Sequence, residues 1–491
     1  MPKNINKQDL VVIGGGTSGL MCALGAVRYG LKVTLICTSM DLSRSSLLAE
    51  VIPTKAFSYV AGLVDQIKQA NHFGLDIKLA PINLVKINAY IQKVIQELTL
   101  ENDFEIFENL GGSLLIGEAK FINNQTILVG NIRINSKYFI IATGTREPGS
   151  NILNFDKSGY LKYRQIFYQN NINVGKKTII IGDRPESLEI AQSLARFGSK
   201  IALICSKSKL LPLEDQEIVK KLQNILEKEG VAFYLSTQVV QFDWQNQSKL
   251  LVCQDSGGDK FVIDFDEIID MREPVPNIEE LSLQNTKVVV STDGILVNNR
   301  LQTGEKNIFA VGSVVKSPFK SIHLMEQQAN VILSNIIFKI ARKINYKLMP
   351  RILFTSPQLA TIGLTHGIGL DNKKNKVLQF NFNKIDAAIY KDYKDGEIKV
   401  ICKKDQILGV SILGPLASEL ITEYSFAMQV GAGISDLANS VHGYPTLSQI
   451  NKRVAHTFFN KNNPSIATVV MEKARHKMHQ MASMFSLVPT A

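Results

Sequence analysis

The feature that most constrains this chain is a glycine-rich turn set between an apolar strand pattern and a helix pattern. Gln8 to Ile13 reads as a buried strand, and Gly14-Gly15-Gly16-Thr17-Ser18-Gly19 as the turn. Leu20 to Tyr29 reads as a helix and Lys32 to Ile36 as a second strand. Gly14 permits the tight bend. Gly16 lets the backbone approach a pyrophosphate, and Gly19 lets helix and strand pack closely. The helix N-terminus offers amide donors to an anion. Standing alone the motif is weak; between a strand and a helix it predicts a dinucleotide-binding unit.

A similar unit begins near Lys177, with a strand from Thr178 to Ile181 and a turn from Gly182 to Ser187. A helix from Leu188 to Phe197 and a strand from Lys200 to Ile204 complete it. Two such units predict an α/β fold with two Rossmann-like nucleotide-binding domains. Between them lie a long helical stretch over about 50–100 and short strands near 113–142. After about residue 345 the pattern becomes alternating strands and helices without a glycine-rich turn, as in Gly396 to Ile401 and Ile407 to Ile412. That change predicts a third, α+β domain. The expected boundaries are 1–150 with 286–345, then 151–285, then 346–464, and a basic helix or tail over 465–491. A chain of 491 residues is too long for one ordinary core, so several domains are expected.

Hydrophobic residues make up 45% and charged residues 20%, the balance of a soluble globular protein. No apolar run of membrane-spanning length is expected. The opening, Met1 to Gln8, lacks an apolar signal core, so a cytoplasmic location is expected. The five cysteines, Cys22, Cys37, Cys205, Cys253 and Cys402, have neither metal-ligand nor redox-pair spacing. They read as reduced thiols, and no metal site is expected. A formal net charge of +11 reads as a solvated basic surface, with no nucleic-acid partner expected. The tail carries Lys473, Arg475, His476, Lys477 and His479 against Glu472, with Val469, Val470, Ala474, Met478 and Met481 at helical spacing. It reads as a helix docked on the protein, or as a weak contact with an anionic membrane surface.

Several segments in combination resemble the pyridine nucleotide-disulfide oxidoreductases: dihydrolipoamide dehydrogenase, glutathione reductase and mercuric reductase. They are the first glycine turn, Ala142-Thr143-Gly144, Ile308 to Gly312, Phe354 to Pro357, and Tyr444-Pro445-Thr446-Leu447-Ser448. The resemblance spans about 8–465, and Tyr444-Pro445-Thr446 with Gly159-Tyr160-Leu161 looks closest to the mercuric-reductase-like branch. It implies an FAD domain, an NAD(P) domain and a C-terminal domain through which a homodimer forms. Cofactor-binding positions carried over are Gly14, Gly15, Gly16, Thr17, Ser18, Gly19, Lys55, Ala142, Thr143, Gly144, Glu189, Gly312 and Ser313. Lys55 matches the family lysine beside the flavin, and Glu189 the glutamate paired with it.

The departures are as telling as the matches. The family's redox disulfide precedes a segment matched here by Val51-Ile52-Pro53-Thr54-Lys55. That alignment puts Ser46 and Val51 at the two cysteine positions, and neither supplies the thiolate that disulfide exchange needs. Cys37 stands where a ribose-reading acid is expected, with Thr38, Ser39 or Asp41 as substitutes, and the second FAD signature ends in Gly312-Ser313 in place of Gly-Asp. The family's acid/base segment appears as His442-Gly443-Tyr444-Pro445-Thr446-Leu447-Ser448-Gln449. Tyr444 replaces the base and Gln449 the orienting acid, leaving His442 as either a proton carrier or a packed interface histidine. The second turn reads Gly182-Asp183-Arg184-Pro185-Glu186-Ser187, followed by Cys205 and by Met271-Arg272-Glu273-Pro274. Arg184 is expected to fill the phosphate space and Asp183 and Glu186 to repel phosphate, which argues against NAD(P)H binding. The expectation is a degenerate FAD-binding homologue with a non-catalytic or regulatory role. The rivals are a cysteine-independent flavin oxidoreductase reducing a quinone, oxygen or another small acceptor, and a basic interaction protein on the old scaffold.

Overall fold

The computed structural model describes residues 3–40, 45, 47–99, 103–149, 152–168, 176–245, 248–365, 375–393 and 395–459. The expectations for Asp41, Ser46 and 465–491 lie outside the described residues. The described part divides into two compact units. The first comprises Met1–Pro212, Leu222–Met349 and Leu353–Thr355; the second comprises Leu213–Lys221, Pro350–Ile352 and Ser356–Ala491.

The first unit is built on a seven-stranded sheet, ordered Ser113–Ile116, Val33–Cys37, Lys3–Ile13, Ile132–Ile141, Thr126–Val129, Ala119–Asn123. Its seventh strand, Ile308–Ala310, pairs in parallel with the end of Ile132–Ile141. The glycine turn therefore emerges at the carboxyl end of a central strand flanked by two parallel neighbours. Along that strand Leu10 and Val12 join one core and Val11 and Ile13 the other. Burial on both faces is what the unbroken apolar run encoded. The helix Thr17–Arg28 follows the turn and buries Leu20, Cys22, Ala23, Ala26 and Val27.

The repeat legible in the sequence is a second parallel sheet in this unit, ordered Val231–Tyr234, Lys200–Ile204, Lys177–Ile181, Glu267–Asp270, Leu161–Lys162. Its turn leads into the helix Pro185–Arg196. An antiparallel meander, Gln238–Gln245, Ser248–Gln254 and Lys260–Phe265, closes one side of its core.

Two expectations are corrected. The stretch over 50–100 is not one helix: Ile52–Ala70 and Leu84–Leu98 are separate, because residues 75–83 form no regular element and Asn83 caps the second helix by accepting from the Lys86 amide. The run Leu47–Phe73 is long and apolar enough to span a membrane by length and composition, contrary to the sequence expectation. Yet Pro53, Thr54, Phe57, Ala61 and Val64 on it are buried, and Lys55 is ion-paired to Glu189. Those contacts make it a core helix of this unit.

The second unit contains the antiparallel strands Gln358–Gly363, Gln406–Gly414, Glu397–Lys403 and Lys376–Asn381, covered by the helix Ala417–Val430. The buried Lys399 ammonium lies 3.1 Å from Asp215 and 2.5 Å from Glu217. Glu397, equally buried, pairs with Lys221 at 2.7 Å.

Candidate functional site

The first turn opens on a cavity of about 380 Å³. Gly14 adopts φ +116°, and a Cβ there would lie 2.2 Å from the Ala142 carbonyl oxygen. A Cβ on Gly19 would lie 1.8 Å from the Gly14 carbonyl oxygen, so these two glycines are fixed by close backbone approach. Gly16 differs, because among the described residues nothing stands within 4 Å of where its Cβ would be. Its bare backbone faces the cavity at the N-terminus of Thr17–Arg28, where unpaired amides concentrate. The buried Oγ1 atoms of Thr17 and Thr143 have no hydrogen-bond partner among the described residues. Orphaned donors beside an open glycine backbone suit a polar, phosphate-bearing ligand.

The structure brings Gly14, Gly15, Gly16, Thr17, Ser18, Ala142, Thr143, Gly144 and Ser313 to this one cavity. Gly312 lies just behind it, where a Cβ would strike Ser18 Oγ at 2.2 Å, and its amide donates to Gln328 Oε1 at 2.9 Å. Cys37 is buried at the end of its strand, and Thr38 and Ser39 continue the lining. The cavity also takes in Glu118, a residue that sequence reasoning passed over. It follows the strand Ser113–Ile116, which pairs beside Val33–Cys37, and brings a carboxylate to the rim where Cys37 brings none.

Lys55 Nζ donates to both Glu189 carboxylate oxygens, at 2.7 and 2.5 Å, and lies 4.6 Å from the centre of the Phe354 ring. The Phe354 amide also donates to Glu189 Oε1, at 2.9 Å. Burial pushes the Glu189 carboxyl up, against the opposing pull of Lys55 and the Phe354 amide. The two residues are 134 positions apart in the chain.

At the position before Val51 stands Glu50, which carries no motif and was missed. It lies on the π-helical turn Leu47–Val51. Arg164 Nε donates to its Oε1 at 2.8 Å, and Arg184 Nη2 to its Oε2 at 3.0 Å. The two arginines hold the Glu50 carboxyl below its ordinary range although burial pushes it up. Arg184 also lies 3.5 Å from Glu186 and 4.9 Å from the Tyr163 ring centre. Tyr163 hydroxyl is bonded to Thr54 Oγ1, which donates to the Glu50 carbonyl at 2.6 Å.

The second turn copies the first at its base. Gly182 takes φ +152°, and a Cβ there would lie 2.1 Å from the Met271 carbonyl oxygen, as Gly14 abuts Ala142. Beyond that point the copy ends. Asp183 accepts from Ser206 Oγ at 2.5 Å and from the Lys207 amide at 3.4 Å. Arg184 lines the space left at this turn and turns its guanidinium to Glu50. The cavity remaining at Gly182, Asp183, Cys205 and Lys209 is about 10 Å³.

In the second unit Tyr444 is 71% exposed, and a hydrogen bond to Asp386 pushes its hydroxyl up, so that less of it is ionised at neutral pH. Gln449 donates to the Gly443 carbonyl at 3.3 Å. The His442 side chain is nearly covered, with both ring nitrogens engaged, Nε2 with Glu423 at 3.1 Å and Nδ1 with Ser440 Oγ at 3.3 Å. All five cysteines are free and buried.

A doubly wound first unit with two related glycine turns and a separate α+β unit define the architecture of two dinucleotide-binding-type folds joined to an α+β unit. Residues 8–329 match the sequence model of the pyridine nucleotide-disulphide oxidoreductases, and 349–455 that of their dimerisation domain. The chain belongs to that family. The mitochondrial dihydrolipoyl dehydrogenase of Pisum sativum is 29% identical over 470 residues, covering 93% of this chain and 92% of its own. The dihydrolipoyl dehydrogenase of Thermus scotoductus is 30% identical over 450 residues, covering 90% and 95%. Among solved structures, the Cu(II) complex of the HOCl-induced flavoprotein disulfide reductase of Escherichia coli superposes with a TM-score of 0.79 at 22% identity. It covers 92% of this chain and 100% of its own, a likeness of fold.

Proposed function

We propose that this chain is a family member that binds FAD in the first cavity but carries no electrons through a cysteine pair and takes up no NAD(P)H, leaving a non-catalytic or regulatory role. The feature that supports the reading is Val51, an aliphatic side chain at one of the two positions where the family resemblance expects a cysteine, next to the ion-paired carboxylate of Glu50. Gly16, Thr17 and Thr143 would hold the pyrophosphate end of FAD, with Glu118 and Ser313 as acceptors toward its hydroxyls. Bound FAD would supply two-electron redox chemistry, while Lys55, fixed by Glu189, would present a cation beside it. Asp183 and Arg184, satisfied within the protein, leave the second turn without the bare backbone and open donors of the first.

The proposed domains are an FAD domain over 1–150 and 286–345, a nucleotide-domain relic over 151–285, and a dimerisation domain over 346–464 that makes a homodimer. Leu416, Phe426, Val430 and Val441 give that domain exposed apolar surface to cover. Buried, reduced thiols accord with a cytoplasmic location. The retained Lys55–Glu189 pair keeps a second reading in play, a cysteine-independent flavin oxidoreductase. One experiment separates them: the visible spectrum of the purified protein under anaerobic NADH or NADPH. A flavin band that neither nucleotide bleaches is expected. Bleaching within seconds would refute the non-catalytic reading.

A further inference from the structure

We infer that Glu50, Arg164 and Arg184 form an internal latch that holds the second glycine turn shut from the helix where the family carries its disulfide. The inference rests on the reading that this turn takes up no pyridine nucleotide, and it says what keeps it closed. Arg184 is the residue whose position should be bare backbone beside a phosphate. Its side chain is only 13% exposed, clamped by Glu50 at 3.0 Å and Glu186 at 3.5 Å and lying over Tyr163. Glu50 is clamped in turn from two sides. Its carboxylate meets both arginines, and its carbonyl accepts from Thr54 and, at 3.4 Å, from the Tyr163 hydroxyl. The space these groups enclose with Thr145, Tyr160 and Arg272 is about 30 Å³. That admits one or two water molecules and no larger group.

Either half of the latch alone keeps the site closed. Without Glu50 the Arg184 side chain still fills the space, held by Glu186 and Tyr163. Without Arg184 the Glu50 carboxylate faces the opened space and repels a phosphate-bearing ligand. Opening therefore requires both changes, and the effects are non-additive.

The test is a fluorescence titration of NADH and NADPH into the FAD-loaded wild type, Glu50→Gln, Arg184→Gly and the double variant. The expected result is no saturable binding by the wild type and either single variant, and saturable binding by the double variant at least about tenfold tighter than by either single. Arg184→Gly binding as tightly as the double variant, or a double variant no better than the singles, would overturn the latch. Tight binding by the wild type would instead sink the closed-turn reading itself. A second measurement stands if the double variant folds poorly: melting temperatures of Glu50→Gln, Arg184→Met and their combination. The latch requires the combination to lose less than the two singles added together, and strict additivity would count against it.

Discussion

Replacing Lys55 by methionine should be far more damaging than replacing Glu189 by glutamine, although the two form one ion pair. The reason is their unequal exposure, 27% for the lysine side chain and 1% for the glutamate. Lys55→Met leaves a carboxylate buried with the Phe354 amide as its remaining donor. Breaking a buried pair in this way costs about 3–5 kcal/mol. Glu189→Gln leaves a lysine that reaches water, and an amide that can still accept from Phe354, a loss of about 1 kcal/mol. The pH dependence follows in sign. Burial already pushes the Glu189 carboxyl up, and removing the lysine raises it further. A carboxyl raised above its unfolded value of about 4.3 binds its proton more tightly in the folded state. Its penalty is therefore absent below that value and grows as pH rises through the folded pKa. Urea unfolding midpoints of both variants at about pH 5 and pH 8 read this directly, with the Lys55→Met deficit shrinking at the lower pH. Equal losses in the two variants, or a Lys55→Met deficit independent of pH, would refute the reasoning.

The remaining predictions concern the first glycine turn, the thiols, disulfide turnover and the oligomeric state. Gly16→Val should fold with a melting temperature near that of the wild type yet lose its visible flavin band, whereas Gly14→Ala should destabilise the fold by its collision with Ala142. The native protein should give no fast-reacting thiol with a disulfide reagent, because burial pushes Cys22, Cys205, Cys253 and Cys402 up to about 12; unfolding in urea should release all five cysteines. Steady-state assays should find no turnover of lipoamide, glutathione disulfide or mercuric ion above that of free flavin, and turnover of any of them would contradict the assignment of Val51. Light scattering at micromolar concentration should give a dimer mass.

Much of the fold was legible because it is periodic. The strand at Gln8 to Ile13 and the glycines that follow declare themselves locally, and the repeat at Lys177 to Ile204 echoes them. The Lys55–Glu189 pair could be read only through the family resemblance, since nothing local links residues 134 positions apart. Glu50 had no such guide. It sits in an otherwise unremarkable apolar stretch, and its two arginine partners are supplied by remote segments. Arg184 was legible as an intruder in the turn, but where its guanidinium goes is decided by Glu50 and Tyr163. The break at 75–83 was hidden because its Leu75, Ile77 and Leu79 keep a helix-like apolar content while standing exposed.

The Lys399 ammonium has a practical bearing on anyone dissecting this protein. Its buried partner, Asp215, arrives from far upstream, within the short piece Leu213–Lys221 that belongs to the second unit. A fragment cut at Pro350 would carry the lysine without its counter-ion and would strand Glu397 by removing Lys221. The smallest self-sufficient dimerisation module is therefore discontinuous in sequence, and a soluble version calls for residues 213–221 grafted through a linker onto 350–459, or for both lysine and glutamate replaced by apolar residues of like size.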